Sequence, residues 1–173
     1  MRKIWLWIVA TLIVAGVVHG FTLVAAPGFI MHKVLARMGP VNQMQHQGRV
    51  TAAARKVVRP SPDLLYSICP FDLAQGALHV TAKVPSGTYW SVSVFDDDTN
   101  NFFVRNDRQV KGAIDFVLLP PKGATGVVLP KNATTVRSPS LKGLVLLRTL
   151  IPNDAAFAQV DAVRRQAACA LIR

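Results

Sequence analysis

Asp96, Asp98 and Asn100 alternate in the segment DDDTN, which is how the ligands of a calcium-binding loop begin. The sixth position, however, is Asn101 where a tight-turning glycine is needed, and the chain has no glutamate to act as the bidentate twelfth ligand. The expectation is therefore a hairpin loop, in which Asp and Asn side chains bond to their own backbone. The two thiols, Cys69 and Cys169, have no CxxC spacing, so neither a zinc ribbon nor a redox dithiol is indicated. Two states stay open for them, a disulfide closing a loop of about 100 residues and a pair of buried free thiols.

Arg59, Asp63 and Tyr66 fall in the Pro-punctuated segment RPSPDLLYS, and Arg105, Asn106, Asp107 and Arg108 follow the next aromatic-rich run. Brought together, Arg59, Asp63, Tyr66 and Arg105 would line a ligand pocket of mixed charge. The same residue types also have a structural use, because an Asp after Pro closes a turn and Arg–Asp pairs lock corners. The structural use is the expectation, with the four-residue pocket as the alternative.

His32, His46 and His79 are isolated, with no HxH or HExxH spacing, so no metal site is expected. The chain contains no GxSxG elbow, phosphate-binding loop or dinucleotide glycine fingerprint, and no cofactor or catalytic residue is assigned. Twenty Lys and Arg against nine acids, all of them Asp, give a formal charge of +11. Such a field attracts phosphates, but from Lys33 to Arg173 the cations are scattered, with only Arg55-Lys56 and Arg164-Arg165 adjacent. Without a nucleic-acid motif, the expected partner is a lipid surface rather than DNA or RNA.

The elements that must position these residues are mainly strands. Leu78, Val80, Ala82 and Val84 alternate with polar residues, and Trp90, Val92 and Val94 alternate with Ser91, Ser93 and Phe95. The DDDTN loop then turns the second run into Phe102, Phe103 and Val104, a hairpin. Further strands are expected at Leu64–Ile68, Asp115–Pro120, Val127–Leu129, Thr134–Ser138 and Leu144–Ile151, roughly eight in all, as in a β-sandwich or barrel. A final helix from Ala155 to about Leu171, capped by Asn153 or Asp154, would put Phe157, Val160, Val163 and Ala167 on one face.

At the other end, Ile4 to Ala26 carries no formally charged residue and is followed by Pro27. A helix needs about 20 apolar residues to cross a bilayer, so this run is long enough. Trp5 and Trp7 suit an interfacial belt, and Val18-His19-Gly20 is a poor signal-cleavage site. An uncleaved anchor is expected, with a removed signal as the alternative. His19 is read as a neutral histidine near the outer interface or facing a partner helix. Arg2 and Lys3 favour an inside N-terminus, although Lys33 and Arg37 nearly balance them. The expected organisation is an anchor over 1–26, a juxtamembrane helix and connector over 27–58, a β-sandwich over 59–152 and a C-terminal helix over 153–173.

The strings VVRPSPDLLYSICPFDL and GTYWSVSVFDDDTNNFFVRNDRQV resemble the bacterial domain family of unknown function numbered 1254, in particular its short membrane-anchored members. The similarity runs from roughly Arg55 to Leu150, and the Arg-Pro-x-Pro-Asp-x-x-Tyr-Ser lead-in is its most specific part. The resemblance implies a β-sandwich or jelly-roll-like domain and a companion from the family numbered 1214, which does not occur within these residues. It carries over no reaction and no catalytic residue. The function expected is that of a single-pass bacterial inner-membrane protein whose periplasmic β-domain is a structural or interaction module. The alternative is an envelope enzyme or a binder of carbohydrate or lipid.

Overall fold

A computed structural model of the chain describes residues 2–51, 53–54, 59–123 and 127–172. The basic pair Arg55-Lys56 lies outside them. Helix α1 covers Arg2–Arg37 and is followed by β1 (Gln45–His46), β2 (Leu64–Asp72), β3 (Ala77–Lys83), β4 (Trp90–Phe95) and β5 (Asn101–Asn106). Then come β6 (Ala113–Leu119), β7 (Thr134–Arg137), β8 (Lys142–Leu150), a 3-10 turn at Asp154–Ala156, α2 (Phe157–Arg164) and β9 (Ala168–Ile172). The chain is mainly β, as the alternating patterns imply.

The strands form two sheets, one ordered β1-β2-β8-β4-β5 and the other β7-β6-β3-β9. Among the described residues only β6 and β7 pair parallel; every other neighbour is antiparallel. The alternating residues meet between the sheets: Trp90, Val92, Val94, Val145 and Leu147 from the first, and Leu78, Val80, Phe116 and Leu118 from the second, all essentially inaccessible to water. Burying side chains of this size stabilises by about 1.5–3 kcal/mol each before entropy is counted. Phe103 of β5 reaches Phe116 of β6 with ring centroids 5.0 Å apart, closing one side of the sandwich. On the opposite side Cys69 of β2 and Cys169 of β9 are joined in a disulfide, the bonded one of the two states left open by the sequence.

Four expectations differ from the structure. Pro27 lies inside α1, so the expected anchor and juxtamembrane helix are one continuous element. A proline costs a helix one N–H donor; here the next turns are held by packing, with Met31 buried and α1 touching β8. Residues 127–129 form no strand. They belong to the connection between the parallel β6 and β7, which has to travel from the end of one strand to the start of the other, and Val128 is exposed. The C-terminal helix stops at Arg164, and Ala168–Ile172 is a strand. The run AACAL favours helix intrinsically, but pairing with β3 and the bond from Cys169 override that preference. Finally, the connector contributes a short strand, β1, that its polar composition did not reveal.

Candidate functional site

The four pocket candidates are dispersed. Arg59 and Asp63 are exposed. The Asp63 carbonyl accepts from the Ile151 N–H at 2.8 Å, tying the segment before β2 to the end of β8. Tyr66 is half-buried, and its hydroxyl accepts from the Ser61 N–H at 2.9 Å, which closes the Pro-rich lead-in onto β2. It also borders a hollow of about 290 Å³ with Pro60, Arg49 and Thr51. Arg105 stands on β5, with β8 and β4 lying between it and Tyr66 on β2. Its guanidinium lies 4.8 Å from the Phe103 ring and donates to the Val104 carbonyl. Asn106 and Asp107 close turns, Asp107 by accepting from the Trp90 N–H at 3.2 Å.

A larger cleft, about 570 Å³, opens at one end of the sandwich between the β3–β4 and β5–β6 loops. Three of its polar side chains are engaged within the chain: the Thr88 hydroxyl donates to the Leu150 carbonyl, the Tyr89 hydroxyl to Ser91, and Lys111 Nζ to the Asp107 carbonyl. None of Arg59, Asp63, Tyr66 or Arg105 lines it.

The DDDTN loop is a turn organised around Asp96 and tied to the β7–β8 connection by the Asp97 N–H, which donates to Ser140 Oγ at 3.1 Å. Asp96 is buried, and its carboxylate accepts from the Asp98 N–H at 3.0 Å, the Asn100 N–H at 2.8 Å and the Asn100 side-chain amide at 2.9 Å. Its acceptor capacity is used by the backbone that a cation would otherwise displace. Among the described residues no three His, Cys or acidic side chains gather as metal ligands.

The most concentrated polar chemistry lies where the sequence showed no motif, along the side of the sandwich closed by the disulfide. Arg164, at the end of α2, is 3% exposed. Its Nε donates to Asp161 Oδ1 at 2.9 Å and its Nη2 also reaches that oxygen, while Nη1 donates to the Tyr66 carbonyl at 2.7 Å and to Ser67 Oγ at 3.2 Å. Arg165 holds the other oxygen of Asp161 at 2.7 Å. Ser67 Oγ lies 2.9 Å from Nδ1 of His46 in β1. Arginine can only donate, so a neutral His46 lets the Ser67 hydroxyl accept from Arg164 and give its own proton to Nδ1. Burial, then the Arg164 and Arg165 charges, lower the His46 pKa below its ordinary value. Hydrogen bonds from Arg165 and Arg164 outweigh burial at Asp161 and hold its carboxyl below the usual range.

The seam resembles a serine–histidine pair in composition only. Ser67 is fully buried with an arginine on its oxygen, so no substrate reaches it. Its effect is to pin α2 and β1 to β2. Nearby, Arg49 bridges to Asp154 at 2.7 Å and lies over the Phe157 ring, drawing the connector onto the same helix. The spacing Asp161–Arg164–Arg165 is legible as an i,i+3 and i,i+4 charge pattern; what makes it structural, the burial of Arg164 against β2, depends on contacts almost 100 residues away.

Comparison with known proteins adds a family and a fold. A family model described as Protein of unknown function (DUF1254) matches residues 41–170. Among solved structures, the VPA0106 protein from Vibrio parahaemolyticus is 18% identical with a TM-score of 0.66, over 88% of this chain and 35% of that one. An uncharacterized protein from Burkholderia cenocepacia is 17% identical with a TM-score of 0.52, over 90% of this chain and 42% of that one. The chain thus spans well under half the length of these two structures. No curated protein matches it.

Proposed function

The chain belongs to the family of proteins of unknown function designated DUF1254, and from that premise we propose that it is a single-pass envelope protein. Helix α1 would anchor it with the N-terminus inside, and the sandwich would serve at the outer membrane face as a structural or interaction module. The observation that carries this reading is the contrast along α1. Ile4, Trp5, Leu6, Trp7, Leu12, Ile13, Val17, Phe21 and Leu23 are all exposed, whereas the last turns of the same helix are packed on a disulfide-bonded domain. A helix apolar on all sides needs an apolar surrounding, and this one is long enough to find it in a bilayer. Disulfides persist in oxidising compartments, which favours the outside for the sandwich, and Arg2 and Lys3 favour the inside for the N-terminus.

An interaction role is supported by the large cleft, where Thr88, Tyr89 and Lys111 each spend a hydrogen bond within the chain. It is also supported by the longer solved structures, in which the same sandwich is one part of a larger molecule. The partner fitting this reading is the companion of the family numbered 1214. Purification of the full chain from solubilised membranes, together with a tagged companion, tests it. A stable complex is expected; folded, membrane-bound chain that leaves the companion behind would overturn the interaction role.

A further inference from the structure

Successive residues of a strand point to opposite faces of its sheet. With Trp90, Val92, Val94, Val145 and Leu147 of the first sheet in the core, their neighbours form its outer face. In register across that face, Ile68, Leu146, Ser93 and Val104 make one row, and Tyr66, Arg148, Ser91 and Asn106 the next. The row before them begins with Pro70 and Leu144 and lies at the last turns of α1, which touch β8 and share a cleft with Pro70. There Pro70 is buried and Leu144 is 7% exposed. One row on, Ile68 and Leu146 are half-buried and Val104 is 47% exposed, so the apolar face continues past what α1 covers. Arg148 stands at the edge of this uncovered part with its charge unmatched. Its Nη2 donates to Ser93 Oγ at 3.3 Å, its Nε is buried without an acceptor, and among the described residues no carboxylate pairs with it. A guanidinium carries five N–H donors and no acceptor, and a buried donor left unmade is costly.

We infer that the outer face of the first sheet is where the companion protein docks, through a surface that sets one carboxylate among apolar side chains. The carboxylate pairs with Arg148 in place of the long bond to Ser93, and the apolar groups cover Ile68, Leu146 and Val104. Charge complementarity selects an acidic partner surface over a second copy of this chain, which would bring its own Arg148 and a formal charge of +11 to the contact. The docked surface continues the packing that α1 already makes on the same face.

This inference rests on the interaction role proposed above and names its surface, and one experiment separates the two. The full chain is produced in membranes with the tagged companion, carrying the photoreactive residue benzoylphenylalanine in place of Val104 or, as a reference, of the exposed Val128 between β6 and β7. Irradiation is expected to join chain and companion from position 104 and not from 128. Measured on the detergent-solubilised proteins, Arg148→Met should weaken the complex about tenfold, the low end for a charge pair shut off from water. The urea midpoint of that variant should hold or rise, because the substitution removes a buried donor that had no partner. A complex that forms without a crosslink from 104, an unchanged affinity in Arg148→Met, or a lowered urea midpoint in that variant would overturn the docking face and leave the interaction role standing. Absence of any complex with the unmodified chain refutes the interaction role, and the docking face with it.

Discussion

At the scale of single residues, Arg164 joins α2 to β2 through contacts that no motif announced. It is a buried cation satisfied by one carboxylate, one hydroxyl and one backbone carbonyl. Arg164→Ala leaves the Tyr66 carbonyl and Ser67 without that donor, and removing one partner of a buried pair costs about 3 kcal/mol or more. Urea denaturation of the full chain in mild detergent should show this loss, and Arg164→Lys should recover only part of it, because an ammonium lacks the guanidinium's forked reach. His46 gives the seam a pH dependence. Its folded pKa lies below the unfolded value of 6.5, so the folded state binds fewer protons. The stability it contributes is complete above pH 6.5 and is lost as pH falls from there towards the folded pKa. Asp161, lowered from 3.8, contributes stability that is complete above that value and disappears only at still lower pH. Denaturation midpoints should therefore fall between neutral and mildly acidic pH, and His46→Gln should flatten that decline while leaving the more acidic one in place.

At the scale of elements, β3 and the hairpin β4–β5 were legible because their residues alternate, and β6 because Phe116 to Leu119 form a short continuous apolar run, with Asp, Asn, Gly or Pro at the turns. Trp90, Val92 and Val94 face the core on the side that alternation assigned to them. The two ends of the domain were less legible for a shared reason, since their conformation is set by distant partners. Ala168–Ile172 is drawn into strand by β3 and Cys69, and β1 is drawn onto β2 by His46. The pocket candidates show the same limit: residue type alone offered Tyr66 and Arg105 as an alternative pocket, and the sheet order places β8 and β4 between them. Gly143 adds a constraint that no pattern announced. On β8 a Cβ there would stand 2.1 Å from the Phe95 carbonyl oxygen and 2.6 Å from the Phe71 ring. Overpacking of a tight core costs about 1–3 kcal/mol, and because backbone is the obstacle here, Gly143→Ala should reach or exceed the upper figure in the same urea assay. Stability unchanged by that substitution would mean that β8 and β4 separate more readily than their register implies.

At the scale of the whole molecule, a continuous helix joins an exposed apolar rod to a sandwich closed on one side by a disulfide and on the other by a tilted pair of phenylalanines. Met31 is buried and Gly28 lies against Asp98, so the last turns of α1 rest on the sandwich. The disulfide, the Arg2-Lys3 flank and the exposed helix all fit a sandwich outside the membrane. Limited proteolysis of spheroplasts expressing the chain with a tag after Arg173 examines that arrangement directly. The account predicts that added protease removes the tag while a cytosolic marker stays intact, with the anchored remainder sedimenting with membranes. A tag fully protected until the membrane is lysed would place the sandwich inside and contradict the account.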